Sequence, residues 1–125
     1  PLLRQGVTVI SDRYDLSSLA YQSATSESAA AVAFIRELNR HARRPDLTAV
    51  LNVSPAVAAE RRHVRGGSAE LYEQTELQSR LARAYAKAEE LVPGDRVAHV
   101  DADQTPDAVA AALMSAIERL EDRRT

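Results

Sequence analysis

The chain of 125 residues contains no cysteine, which excludes disulfides and thiolate metal sites and is compatible with a reducing compartment. It has no apolar run long enough to span a bilayer and no charged-then-apolar leader, so a cytoplasmic protein with no membrane role is expected. Lysine is almost missing: of 16 basic residues only Lys87 is not an arginine, and it lies inside a helical pattern. A net charge of −2 gives no global reason to bind nucleic acid polymers or anionic membranes. His41, His63 and His99 share no metal-ligand spacing, so no metal site is read from side chains alone. No serine sits in a nucleophile elbow and no carboxylate pair suggests glycoside chemistry. There is no internal repeat, low-complexity tract or linker, and the length fits one domain or part of one.

What is present alternates in period. Three short β-branched or apolar runs, residues 7–11, 48–53 and 97–101, read as largely buried strands. Between them the spacing turns helical. Ala30, Phe34, Ile35 and Leu38 recur at helical spacing before Pro45 stops the element, and Leu77, Leu81, Ala84, Tyr85 and Ala88 form one apolar stripe. Val109, Leu113, Ala116, Ile117 and Leu120 form another. Ser54-Pro55 and Thr105-Pro106 each place an N-cap before a proline at the first helical position. Strand and helix in alternation predict an α/β fold, a parallel sheet with flanking helices joined by right-handed crossovers.

The chemistry concentrates directly after the first run, in Asp12-Arg13-Tyr14-Asp15-Leu16-Ser17-Ser18-Leu19-Ala20-Tyr21-Gln22. An acid and an arginine at a strand end stand where open parallel sheets bind ligands, and a guanidinium fork matches phosphate oxygens. Residues 18, 21 and 22 put a hydroxyl, a ring and an amide on adjacent parts of one helical surface. Downstream, Arg61, Arg62 and Arg65 precede Gly66-Gly67, a place where flexible backbone could carry cations over a ligand. The residues alone also allow plainer roles. These are an Asp12–Arg13 ion pair closing a loop, Tyr21 as a core ring, Ser17 or Ser18 as a helix cap, arginines facing water near a helix end, and 101–104 as a polar turn.

The eleven-residue segment resembles the Asp-Arg to Ala-Tyr-Gln stretch of thymidylate kinases. The resemblance continues in order through Arg44-Pro45-Asp46-Leu47-Thr48, the 49–53 run with Ser54-Pro55, the 61–67 arginine and glycine stretch, Tyr72-Glu73 and the run ending at Asp101-Ala102. It implies a P-loop kinase-like fold, transfer of the γ-phosphoryl of ATP to dTMP giving dTDP and ADP with Mg²⁺, and a homodimer. By resemblance Arg13 binds the acceptor phosphate, with Asp12 beside the transfer centre. Ser18, Tyr21, Gln22, Tyr72 and Glu73 would contact the acceptor, Arg62 and Gln104 the ATP, and Arg65 would clamp the transferred group in a lid at about residues 61–70. The family's phosphate loop, Gly-x-x-x-x-Gly-Lys-[Ser/Thr], has no match here. Residues 1–125 therefore read as the C-terminal portion of one nucleotide kinase domain, with the N-terminal strands and P-loop missing and activity in isolation doubtful. A noncatalytic nucleotide-binding or interaction module and a related nucleoside or nucleotide kinase are the alternatives.

Overall fold

A computed structural model describes residues 2–26, 28–64 and 71–122, and for residues 71–74 and 121 the backbone alone. After a short 3₁₀ turn at Leu3–Gln5 come α1 (Asp15–Thr25), α2 (Ala29–Leu38), β1 (Thr48–Asn52), α3 (Pro55–Val64), α4 (Leu71–Ala86) and α5 (Ala88–Leu91). β2 (Val97–Asp101) and α6 (Pro106–Glu121) complete the order. β1 and β2 pair in parallel, with Val50 opposite His99 and Asn52 opposite Asp101. The α/β class and the parallel sheet with flanking helices are as the sequence predicts.

Opposed residues of a parallel pair share a face, so alternation sends Val50 and Val97 to one side and Val100 to the other. The first side carries the core. Leu16 and Leu19 of α1, Val50, Ala88 and Val92 pack together, with Val32, Ile35, Tyr85 and Leu91 around them. On the other side α6 packs on β2, where Val100, Ala102 and Ala116 are buried. The α1 burial at residues 16, 19, 20 and 24 follows one helical stripe. Both predicted N-caps form: the Ser54 hydroxyl accepts from Val57 N at 3.4 Å and Thr105 from Ala108 N at 3.3 Å.

Two expectations are corrected. Residues 7–11 are not a strand: they run without ladder hydrogen bonds, and Ile10 is 83% exposed. β-branched side chains favour extended backbone, but a strand exists only where a neighbouring edge supplies partners, and among the described residues none lies alongside. The two strands that do form are also less buried than expected, since only Val50 in β1 and Val100 in β2 are shielded. A sheet of two strands has no interior strand, so its other positions stay near an edge. On α2, Val32 and Ile35 face the core while Phe34 and Leu38 are exposed.

One polar cluster ties these layers together. Arg44, in the loop before β1, pairs with Asp15 at the start of α1 and with Asp95 before β2, donating from Nε to Asp95 Oδ1 at 2.9 Å. The two carboxylates are buried, while the guanidinium is partly exposed. Hydrogen bonds to Asp95 and then Asp15 hold the Arg44 pKa above its ordinary high value, so it stays charged at any accessible pH.

Candidate functional site

The turn into α1 is built by Arg13 itself. Its φ of 66° is left-handed, the only such non-glycine among the described residues, and the Ser11 hydroxyl donates to the Arg13 carbonyl at 2.8 Å to brace it. A bulky residue held there costs about 1–3 kcal/mol, and such outliers gather where a side chain must be aimed. The Arg13 side chain lines a cavity of about 460 Å³. Its walls come from α1 (Ser17, Tyr21), the carboxyl end of β1 (Asn52), α3 (Arg62) and α4 (Tyr85), the strand-end location where α/β sheets bind ligands.

The electrostatics favour an anion. Arg13 and Arg62 are the charged residues lining this cavity, with no acid among the described lining, and neither guanidinium has a partner among the described residues. Two unpaired cations beside low-dielectric walls attract negative charge and present ten N–H donors in two planar forks. Tyr85 donates its hydroxyl to Ser17 Oγ at 3.1 Å, leaving the serine proton free to turn toward a ligand. A second cavity, of about 680 Å³, is larger but lies beside the loops at the opposite ends of the strands. It is lined by four arginines and four acids, including the Arg44 cluster, and so offers no net charge to a ligand.

The structure sorts the predicted residues. Arg13, Tyr21 and Arg62 share the 460 Å³ cavity, together with Ser17. Ser18 and Gln22 lie on the neighbouring stripe of α1 and do not line it, and Asp12 is exposed outside it. Gln104 is engaged on its own loop, its side-chain amide donating to Asp101 Oδ2 at 3.2 Å and its backbone carbonyl accepting from Arg61 at 3.1 Å. Arg65, Gly66 and Gly67 lie outside the described residues, as do the side chains of Tyr72 and Glu73. Sequence reasoning missed Asn52 and the α4 wall of Thr75, Gln78, Ser79 and Ala82. Small and polar residues at i, i+3, i+4 and i+7 were the available signal, beside the apolar stripe that faces the core.

The loop after β2 locks the site's rim. Asp103 Oδ1 accepts from Ser54 N at 2.7 Å, joining this loop to the start of α3. Hydrogen bonds from Asp103 N and then from the Gln104 amide hold the Asp101 carboxyl below its ordinary value of 3.8. A depressed carboxylate contributes stability above its unfolded value and loses it as pH falls through the folded one. Acidification is therefore expected to loosen this loop only below the ordinary aspartate range. The Asp103 amide proton, followed by NMR, should shift with Asp101 titration in the native chain and lose that step in Asp101→Asn. An Asp103 signal indifferent to acid would contradict the assignment.

Comparison with known proteins shows the family. A family model described as "Thymidylate kinase" matches residues 1–113. The chain is 38% identical over 122 residues to a probable thymidylate kinase of Pyrobaculum aerophilum, covering 96% of this chain and 59% of that protein. It is 35% identical over 122 residues to a thymidylate kinase of Gluconobacter oxydans, covering 94% and 56%. With a probable thymidylate kinase of Natronomonas pharaonis it shares 32% over 126 residues, covering 98% and 62%. The chain thus spans somewhat over half the length of these three relatives.

Proposed function

Because the chain belongs to the thymidylate kinase family, we propose that its cavity is the acceptor half of a phosphoryl-transfer site and takes dTMP. The single observation that carries this reading is the convergence of Arg13, Tyr21 and Arg62 on one cavity whose described lining holds no acid. Arg13 grips the dTMP phosphate through its fork, and Tyr21 flanks the sugar. Arg62 adds positive charge where the γ-phosphoryl of ATP is attacked, and transfer yields dTDP and ADP. Held in line between two arginines, the phosphate oxygens lose the mutual repulsion that otherwise keeps two polyanions apart. The resemblance further implies Asp12 and Arg65 at the transfer centre, Ser18, Gln22, Tyr72 and Glu73 on the acceptor and Gln104 on ATP, of which Asp12, Ser18 and Gln22 stand beside the cavity rather than on its lining.

ATP and Mg²⁺ are the co-reactants this reading requires. Among the described residues no three His, Cys, Asp or Glu side chains are gathered to hold a metal, so no step is assigned to one. These 125 residues contain no glycine-rich phosphate loop with its lysine, so the chain on its own should give no measurable transfer in a coupled assay. The resemblance also implies a homodimer, with no nucleic acid polymer or membrane as partner. Among the described residues no helix is long and apolar enough to cross a membrane.

Calorimetry tests the acceptor reading directly. Binding of dTMP should exceed that of thymidine by about 100-fold, since the nucleoside lacks the charge-assisted bonds worth roughly 1.5–3 kcal/mol each. The preference over dUMP should be only several-fold, because one methyl group is worth about 0.8 kcal/mol. Equal binding of dTMP and thymidine would refute a phosphate grip. Absence of heat with all three would favour a noncatalytic interaction module.

A further inference from the structure

Asn52 carries a feature that neither the motifs nor the family reading uses. It ends β1 on the wall of the cavity shared with Arg13 and Arg62, and its Nδ2 lies 2.8 Å from Nδ1 of His99 on β2. The other ring nitrogen, Nε2, lies 3.1 Å from Oε1 of Glu89 on α5. A carboxylate can only accept, so Nε2 of the neutral ring carries the hydrogen and Nδ1 is left as a lone pair. That lone pair requires the amide N–H of Asn52. The Asn52 oxygen is then the free end of the amide, with no partner among the described residues.

Protonation reverses the pattern. A charged imidazolium carries N–H on both nitrogens, so Nδ1 demands the amide oxygen and the Asn52 side chain turns over, leaving its NH₂ as the free end. We propose that Asn52 is a ligand-contacting residue of the cavity, and that the Glu89–His99 pair decides whether its amide offers the ligand an acceptor or a donor. An anion between Arg13 and Arg62 selects the donor form, because phosphate oxygens only accept. Binding is thereby coupled to uptake of a proton by His99. The charged groups around the pair are Glu89 from α5, Asp101 on the same face of β2, and Arg13 and Arg62 on the cavity walls. Asp101 is engaged by Asp103 and Gln104, and Lys87 beside α5 pairs with Glu90 at 3.7 Å.

This inference rests on the reading of the cavity as a phosphate site, and its test separates the two. In the ligand-free chain, ¹⁵N NMR should show the neutral His99 ring carrying its hydrogen on Nε2, and the Nδ1 signal changing only when the ring takes up a second proton. The Asn52 NH₂ signals should shift on the same titration. With dTMP, affinity should gain about tenfold on protonation of His99 relative to Asn52→Leu and His99→Gln, an effect of one added charge-assisted bond. Taking ratios cancels the titration of the nucleotide phosphate itself. Calorimetry in two buffers of different ionisation enthalpy should show proton uptake in the native chain above that of either variant. Asn52 signals indifferent to His99, or an unchanged pH slope in His99→Gln, would overturn the coupling. If no variant binds dTMP, the phosphate reading fails and takes the ligand contact with it, and the ligand-free titration alone decides the amide reversal.

Discussion

Arg13→Ala is expected to weaken dTMP binding by about 100-fold or more while leaving the chain folded. The loss follows from removing two charge-assisted bonds of roughly 1.5–3 kcal/mol each from a cavity with no other cation than Arg62 among its described lining. Arg13→Lys keeps the charge but not the planar fork, so it should recover only part of the affinity. The backbone supplies an independent control. At φ 66° a glycine is unstrained, so Arg13→Gly should be at least as stable as the native chain and bind as poorly as Arg13→Ala. That pairing of unchanged stability with lost affinity is the mark of a residue strained for function. Calorimetry with dTMP and a urea melt on each variant measure both quantities. Binding by Arg13→Ala within about threefold of the native chain would refute the phosphate grip.

Arg44→Leu is expected to have the largest effect on folding. It strands the Asp15 and Asp95 carboxylates, whose side chains are only 7% and 6% exposed, in the seam between α1 and the loop before β2. Breaking a buried pair by removing one partner costs about 3–5 kcal/mol. The Arg44 side chain is itself 44% exposed, so solvent screens part of this, and about 2–4 kcal/mol is the appropriate expectation. Against a typical domain stability of about 5–15 kcal/mol that is a large fraction, and a chain with a two-stranded sheet has little to spare. Adding Asp15→Asn and Asp95→Asn to Arg44→Leu should restore much of the loss, because the damage lies in the uncompensated charges. The raised Arg44 pKa means that the clamp is fully present below arginine's unfolded value, so raising pH across the neutral and mildly alkaline range should not weaken it. Urea unfolding of the single and triple variants decides the matter. A single-variant loss below about 0.5 kcal/mol would show the cluster to be a surface ornament.

The two predictions divide the way the sequence does. Arg13 was singled out as standing at the end of a strand over residues 7–11, and that strand does not form; the cavity that Arg13 lines lies instead at the carboxyl end of β1. Arg44 stood in a recognisable stretch, yet nothing local said that it would bridge residues 29 positions before it and 51 after it. Ser18 and Gln22 were placed in the cavity by adjacency to Tyr21, and the helix sets them one stripe aside. Residues 18 and 22 are each about 100° around the helix from 17 and 21, enough to carry a side chain off a narrow wall. Asn52 and His99 are 47 apart in sequence and meet only through the strand register.

Local rules determined what can be decided within a few residues: the two caps before Pro55 and Pro106, the helical stripes, and the family's motifs in their order. Tertiary structure alone decided which extended runs became strands, which of the α1 side chains reach the cavity, and how Glu89, His99 and Asn52 line up. The reason is that dihedral preference and side-chain period are properties of a segment. A hydrogen-bonded edge, a shared cavity and a relay of three polar groups need partners that arrive from elsewhere in the chain.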